Sequence, residues 1–306
     1  MRRSLLAASV PVVLACFAPA VRAIEMNVGF LWHMHQPIYY PGESVIQTDN
    51  AGRFSYSVKD IHNQRFGPYT TWPKDAIQSG LGLSHLGASV SFSGTLIQNL
   101  NAIQAANVNG GMWNNWQSGY TQARQMNTSL GNPRLDMINF SYSHGLLPLL
   151  DTRDIRMQLK LEKTIVQDTF GSTVPYSKGL FPTESAFSER MIPALVAEGI
   201  QWTLYDNIHL DRATKNYPYT TGSNLIPSNK ADQINPDPVA NGGAWVQLNN
   251  LWAPSKVSAP NSYKPAYAQY VDPNSGAISK IVAVPAARYE GNEDGRGGFV
   301  RYSTSR

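Results

Sequence analysis

The sequence predicts an α/β protein with a mainly parallel sheet, either open or closed as a barrel. Short apolar runs typical of buried strands alternate with longer segments in which apolar residues recur at helical spacing. This alternation favours a parallel sheet, because a helix returns the chain from the end of one strand to the start of the next. Polar, titratable residues recur directly after these strands, where ligands bind in such folds.

The predicted strands are short apolar runs bounded by polar or turn-forming residues. They cover residues 27–32, 88–92, 137–142, 179–181, 201–205 and 281–285. The first strand leads into the segment HMHQP, which places His33 and His35 one residue apart although the chain has only six histidines. We therefore expect the carboxyl end of this strand to carry functional side chains.

Three helices are predicted by apolar residues at helical spacing, at residues 95–106, 152–170 and 188–198. Asp151 is placed to cap the start of the second helix, and Gly171 is placed to end it. In the third helix, Pro193 is compatible with helical structure only near the first turn. These helices separate predicted strands, as a parallel sheet requires.

Residues 211–280 differ from the rest of the chain. They contain eight prolines and many Asn, Ser, Gly and Tyr residues, with little apolar periodicity. The segment is too long for a simple loop. We predict a long irregular insertion that partly covers a binding site.

The N-terminal segment has the pattern of a secretory signal peptide. Residues 1–23 begin with Arg2 and Arg3, continue with an apolar stretch and end in a small-x-small cleavage pattern. A lipoprotein signal with Cys16 as the lipidated residue is a less favoured alternative, because the apolar run continues past Cys16. The sequence therefore predicts a secreted or periplasmic protein in which residues 24–306 form the mature chain, without a membrane-spanning helix.

Composition narrows the classes of partner. Cleavage after residue 23 would remove the only cysteine, so disulfides, a thiolate nucleophile and cysteine metal ligands are not expected. It would also lower the formal net charge of +4 by three, and no Lys/Arg cluster suited to nucleic acid is present. The chain is instead rich in aromatic residues, with 15 Tyr, 10 Phe and 7 Trp. Many have polar neighbours, which suits contact with sugars.

Candidate site residues follow five of the six strands. They are His33 and His35 after the first, His144 after the third, Glu184 after the fourth, Asp206 and His209 after the fifth, and Arg288, Glu290, Glu293 and Asp294 after the sixth. Any one of them could be a cap or a solvated turn residue. Because the carboxyl ends of parallel strands meet at one edge, we expect these groups to converge.

Three of these segments together resemble glycoside hydrolase family 57. They are HQPIY, INFSYSHGLLPLL and GLFPTESAFSER, in the order and at the spacing typical of that family. The segment SVSFSGTLIQNL also fits the second strand of the family and the helix after it. The resemblance extends from Asn27 to Asp206, and more loosely to Asp294.

The resemblance implies a fold and an activity. The fold is an incomplete (β/α)7-type barrel, here with the insertion at 211–280. The activity is retaining hydrolysis or transfer on α-linked glycans, as in α-amylases and 4-α-glucanotransferases, with a carbohydrate as partner and without a metal or cofactor. The family domain continues past the segment near Asp294. Since this chain ends at Arg306, we expect the C-terminal part of the barrel to be missing.

The resemblance also assigns roles to individual residues. Glu184 matches the catalytic nucleophile, although Thr183 separates it from Pro182 where the family more often has Pro-Glu. Asp294 is the expected acid/base, with Glu290 and Glu293 as alternatives. The other expected substrate-binding residues are Trp32, His33, His35, His144, Asp206 and Arg288. His35 matches a family histidine beside the nucleophile and is expected to donate a hydrogen bond to a sugar hydroxyl.

Other interpretations remain open from the sequence. Glu184 could instead cap the helix near Ser188, and His33 could be a core histidine. His33, His35 and His144 could bind a divalent metal, as in polysaccharide deacetylases or α-mannosidases of comparable architecture. A non-catalytic glycan-binding protein would keep the aromatic residues and lack a competent acid/base.

Overall fold

The computed structural model describes residues 29–206, 233–234, 246–247 and 264–286. The helices are α1 Val45–Asn50, α2 Val58–Asn63, α3 Phe66–Thr70, α4 Trp72–Ser79, α5 Gly94–Ala105, α6 Val108–Gly111, α7 Ser118–Gln125, α8 Thr152–Phe170 and α9 Ile192–Ala197. The strands are β1 Leu31–Met34, β2 Ala88–Phe92, β3 Leu135–Met137, β4 Gly179–Leu180, β5 Trp202–Asp206, β6 Gln233–Ile234, β7 Val246–Gln247, β8 Ala266–Val271 and β9 Ile278–Ala286. Short 3-10 helices cover Leu147–Leu149, Thr183–Ser185 and Glu189–Met191.

The described strands confirm an α/β fold with a mainly parallel sheet. β1, β2 and β3 pair in parallel in that order. β4, β5 and β9 also pair in parallel, and β8 adds to the edge of β9 in antiparallel orientation. A parallel bridge between Asn139 and Leu180 joins the two groups. Within the described residues the strands form open sheets and no closed barrel.

Helix α8 begins and ends where the sequence predicts. The Asp151 side chain accepts a hydrogen bond from the amide of Asp154, 2.9 Å away, and Gly171 ends the helix with a φ of 79°. The buried face of α8 joins two apolar clusters. Ile155 and Leu159 pack in the cluster around β4, α9 and β9, whereas Val166 and Phe170 pack in the cluster around β1, β2 and β3.

Three predicted boundaries are wrong by several residues. The first strand starts at Leu31 and extends to Met34, and the third covers Leu135–Met137, with the later Asn139 making only a bridge. The helix predicted at 188–198 is a 3-10 turn followed by α9, with Pro193 in the first turn of α9. Because proline has no amide proton to donate, it is compatible with that first turn.

The prediction that residues 211–280 are irregular is wrong at the C-terminal end of this segment. β8 and the first residues of β9 lie within 211–280 and form a regular antiparallel hairpin. In β8, Ala268 and Tyr270 pack against the core while Tyr267 and Val271 are exposed, which is the period-2 pattern of a strand with one buried face. The residues of this segment outside 233–234, 246–247 and 264–280 are not among those described, and neither is the predicted leader at 1–23.

No helix among the described residues is both long enough and apolar enough to cross a membrane. The longest is α8, with 19 residues, and it carries charged residues along its length. A membrane-spanning helix needs about 20 predominantly apolar residues.

Candidate active site

The carboxyl ends of the parallel strands bring four titratable side chains together. His33 lies in β1 and His35 follows it, His144 lies in the loop after Asn139, and Glu184 lies in the turn after β4. The ring centres of His35 and His144 are 3.9 Å apart, and those of His33 and His144 are 5.6 Å apart. The Nε2 atom of His144 is 3.8 Å from Oε1 of Glu184.

Side chains alternate along β1, and this decides which of them face the site. His33 and His35 lie on one face. Trp32 and Met34 lie on the other, where Met34 is a buried core residue and Trp32 packs against the same apolar cluster. Phe140 is fully buried beneath His33, with ring centres 4.5 Å apart, and Phe181 contacts the edge of the same imidazole at 5.2 Å.

Two buried serines, one in β2 and one directly after it, hold the histidine rings. Nδ1 of His33 lies 2.9 Å from Oγ of Ser91, and Nδ1 of His35 lies 2.8 Å from Oγ of Ser93. The parallel register explains this pairing, because β1 residue His33 is opposite β2 residue Ser91. Ser91 and Ser93 are both fully buried. The hydrogen bonds occupy Nδ1 in each ring and fix the ring orientation.

The loop that carries His144 is held by helix α8. Oε1 of Gln158 accepts hydrogen bonds from the Ser141 hydroxyl at 3.0 Å, the Ser143 amide at 2.8 Å and the Ser143 hydroxyl at 2.9 Å. The Gly145 amide donates to the Ser141 hydroxyl at 3.0 Å. His144 itself has a φ of 59°, in the left-handed region. A single glutamine side chain thus organises the turn that presents the imidazole.

Sequence reasoning did not identify Ser91, Ser93 or Gln158 as site residues. The sequence does contain a signal for the two serines. In Ser91-Phe92-Ser93 they alternate with Phe92, so an extended chain places both hydroxyls on one face. Recognising it would have required the register between β1 and β2. Gln158 gave no signal, because a polar residue on a helix ordinarily faces solvent.

Glu184 lies in a strained turn. Its φ is 57° and that of the next residue, Ser185, is also 57°. Among the described non-glycine residues with positive φ, Asn107, Asn109 and Asn115 are asparagines, which tolerate this conformation, and the other three are His144, Glu184 and Ser185. Strained backbone of this kind is concentrated at functional sites. The turn leaves the Glu184 side chain 46% exposed, facing His144.

The surroundings keep the three imidazoles neutral near pH 7. His33 has an exposed edge, yet the protein atoms packed around its ring lower its pKa to about 3, and the neighbouring His144 and His35 add to the effect. Burial lowers the pKa of His35 to about 4, with His144 as the second cause. Burial also lowers the pKa of His144, although the Glu184 carboxylate opposes this shift.

The remaining predicted residues differ in how the structure places them. Asp206 is the last residue of β5, is buried, and lies at the same sheet edge as Glu184, whose 3-10 turn packs against β5. Arg288, Glu290, Glu293, Asp294 and His209 lie outside the described residues. The N-cap residues of the later 3-10 turn and of α9, Ser188 and Met191, make no side-chain capping hydrogen bond.

No group of three or more His, Cys, Asp or Glu side chains within the described residues is arranged to hold a metal ion. The three histidines and Glu184 instead contact one another through ring stacking and the 3.8 Å approach of His144 to the carboxylate.

Comparison with known proteins identifies the family. Residues 29–230 match the model of glycosyl hydrolase family 57, so the chain belongs to that family. The matched region includes His33, His35, His144, Glu184 and Asp206. It ends before Arg288 and Asp294.

Individual relatives differ greatly in length from this chain. An alpha-amylase from Niallia circulans is 36% identical over 281 residues, which are 87% of this chain and 21% of that protein. The 4-alpha-glucanotransferase of Thermococcus litoralis superposes with a TM-score of 0.47 at 13% identity, over 90% of this chain and 28% of that one. A branching enzyme of Pyrococcus horikoshii gives 0.39 at 14% identity, over 65% and 44%. This chain therefore spans about a fifth of the length of its curated relative.

Proposed function

We propose that this chain carries the site of a retaining glycoside hydrolase or glucanotransferase that acts on α-linked glucans. The observation that supports the proposal most is the convergence of His33, His35, His144 and Glu184 at the carboxyl edge of the sheet. Membership of the family and the relative named alpha-amylase favour a glycan substrate. The predicted leader would direct such an enzyme to the periplasm or the exterior.

Glu184 is the proposed nucleophile. Its carboxylate is exposed at the mouth of the site, so it can reach the anomeric carbon of a bound sugar. Attack on that carbon forms a glycosyl-enzyme ester while the glycosidic oxygen leaves and takes a proton from a second carboxyl group. Water or another sugar hydroxyl then attacks the same carbon and releases Glu184. These two outcomes are hydrolysis and transfer.

The neutral imidazoles position the sugar. His35 and His144 stack parallel to each other, with an angle of 24° between the ring planes, and are both half-buried. Because neither ring is charged near pH 7, they offer hydrogen-bonding nitrogens without repelling an oxocarbenium-like transition state. Fixed orientation of such groups lowers the barrier by keeping the reacting atoms aligned.

Replacement of the nucleophile tests this proposal. Glu184→Gln removes the charge at nearly constant shape, so turnover of α-glucans should fall on the order of 10³-fold or more, while the thermal unfolding curve stays close to wild type. Glu189→Gln, at an exposed glutamate of the next 3-10 turn, is the matched control and should keep full activity. Azide should restore turnover to Glu184→Ala. Near-normal turnover of Glu184→Gln on every glucan that the wild type cleaves would contradict the assignment.

Asp294 is the proposed acid/base, with Glu290 and Glu293 as alternatives. A retaining enzyme needs two carboxyl groups about 5–5.5 Å apart, one of which protonates the leaving oxygen. Asp294→Asn should therefore be slow on natural glucans and much less impaired on an activated aryl glycoside, whose leaving group needs no proton. Glu290→Gln and Glu293→Gln should affect both substrates equally. The reverse pattern in either glutamate variant would move the role to that residue.

A further inference from the structure

The loop that follows β1 and carries His35 is hydrogen-bonded to helix α5. Nδ2 of Asn99 lies 2.9 Å from the carbonyl oxygen of Pro37, and the Thr95 hydroxyl lies 2.7 Å from the carbonyl oxygen of Gln36. Thr95 and Asn99 are four residues apart in α5, so they lie on the same face of the helix. This face therefore contacts the carbonyl groups of the two residues that follow His35.

The hydrogen bond between Asn99 and Pro37 has only one possible direction. A carbonyl oxygen can only accept, so the amino group of the Asn99 side chain must face it and donate. Asn99 is 2% exposed, so a loop that moved away would leave a buried donor without this partner, at a cost in free energy. The position of the loop is therefore coupled to the position of the helix.

Helix α5 is a well-packed support for this hydrogen bond. The Ser93 side chain caps its start by accepting from the Leu96 amide, and Nδ1 of His35 lies 2.8 Å from the same Ser93 hydroxyl oxygen. The fully buried apolar residues of the helix are Leu96, Ile97, Leu100 and Ile103. The start of α5, from Ser93 to Asn99, thus contacts both the His35 ring and the backbone that follows it.

We infer that Asn99 is a positioning residue, which fixes the loop after β1 through the Pro37 carbonyl and so sets the orientation of the His35 imidazole. Asn99 contacts His35 only through this loop, and its role is to keep the ring aligned with a bound sugar. The effect on catalysis rests on the proposed function, whereas the effect on the ring does not.

Two substitutions at Asn99 test the role in catalysis. Asn99→Leu removes the donor at nearly constant volume, so kcat/KM on a soluble α-glucan should fall about tenfold at every pH. Asn99→Asp places a carboxylate, which can only accept, against the Pro37 carbonyl, and protonation of the introduced carboxyl restores a donor. Burial and the facing carbonyl both favour that protonated form. The activity of Asn99→Asp relative to wild type should therefore rise as the pH is lowered from 8 to 5.

Asn101 on the same helix provides the matched control. It is exposed, and its Oδ1 accepts a hydrogen bond from Nε1 of Trp116 at 3.1 Å, which a carboxylate can also do. Asn101→Asp should therefore keep the wild-type kcat/KM at each pH. A loss of activity in folded Asn99→Asp that does not change with pH would indicate a merely structural role and overturn the inference. Wild-type kcat/KM in Asn99→Leu would also overturn it.

NMR of the full chain with ¹³C-labelled histidine separates this inference from the proposed function, because it needs no substrate. The His35 ring signal is assigned by its disappearance in His35→Gln. It should shift in Asn99→Leu and stay in place in Asn101→Asp. A shifted signal, together with a wild type that cleaves no α-glucan, would count against the proposed function and leave the positioning role supported. An unshifted signal in Asn99→Leu would overturn the positioning role, whatever the activity of the wild type.

Discussion

The two sides of the site hold their functional groups by different means. At the ends of β1 and β2, His33 and His35 are fixed by hydrogen bonds to the buried hydroxyls of Ser91 and Ser93. At the end of β4, Glu184 is presented by backbone conformation, on a turn with a φ of 57°. The histidine side gains orientation at little backbone cost. On the carboxylate side the backbone of Glu184 is strained, and its side chain stays exposed.

The difference fits the role proposed for each group. An imidazole that orients a sugar works best at a fixed angle, which buried serines provide. The proposed nucleophile has to reach a bound sugar, and the left-handed turn leaves the Glu184 side chain 46% exposed. Strain at such a residue is tolerated when the surrounding structure determines its conformation. Here the flanking residues Thr183 and Ser185 are buried.

Removal of His35 should have the largest effect among the tests of this contrast. His35→Ala deletes a ring that stacks on His144 and is proposed to orient the sugar, so the transition state should lose about 2 kcal/mol, or roughly 30-fold in kcat/KM. Steady-state kinetics on a soluble α-glucan measures it. His85→Ala, at an exposed histidine outside the site, is the control and should change kcat/KM little.

Chelation extends the same test to the metal-binding alternative. EDTA should leave the activity of the wild type and the residual activity of His35→Ala unchanged if the histidines orient the sugar. Loss of activity in EDTA, restored by zinc, would instead support a deacetylase-like metal site at His33, His35 and His144.

The sequence predicted the histidine side of this contrast better than the carboxylate side. Alternation along β1 places His33 and His35 on one face, and the capped helix α8 follows from Asp151, its apolar period and Gly171. The left-handed turn at Glu184 is not readable, since Thr-Glu-Ser has no local preference for positive φ. The contact of Glu184 with His144 depends on the bridge between Asn139 and Leu180, a pairing distant in sequence.

The helices between β1 and β2 were also missed, for a different reason. Residues 45–79 form four short helices whose buried positions are few and partly aromatic or polar, such as Thr48, His62 and Tyr69. Each helix has at most eight residues, too short for helical periodicity to stand out. Their stability comes from tertiary packing, which local sequence does not encode.

The strain at residue 184 predicts a smaller effect, on stability. Glu184→Ala and Glu184→Gly both delete the carboxylate, but only glycine adopts a φ of 57° without steric cost. The glycine variant should therefore be more stable than the alanine variant by about 1 kcal/mol in urea unfolding.

Residue 189 provides the matched control for this comparison. Glu189 has negative φ, so Glu189→Gly should be the less stable of the two variants there because of its larger unfolded-state entropy. If alanine proves at least as stable as glycine at position 184, the turn is not strained, and the contrast between the two sides of the site is lost.

The smallest expected effect is on the pH dependence of stability, because solvent at the exposed edge of His33 screens its charge, and it concerns the histidine side alone. His33 titrates near its ordinary 6.5 when the chain is unfolded, whereas in the folded protein its pKa is lowered to about 3. Below pH 6.5 the unfolded state therefore binds a proton that the folded state does not, and the free energy of unfolding falls as the pH is lowered from 6.5 towards 3.

His33→Gln removes this contribution, so its unfolding free energy should vary less between pH 6.5 and 4 than that of the wild type. The slope does not vanish, because the pKa values of His35, His62 and His144 are also lowered. Ser91→Ala disturbs the same contact without removing a titratable group and should keep most of the wild-type slope. Equal slopes in His33→Gln and wild type, measured by urea unfolding at each pH, would show that the folded protein does not resist protonation of His33. The crowding of that ring by Phe140, Phe181 and the other two imidazoles would then have no electrostatic consequence.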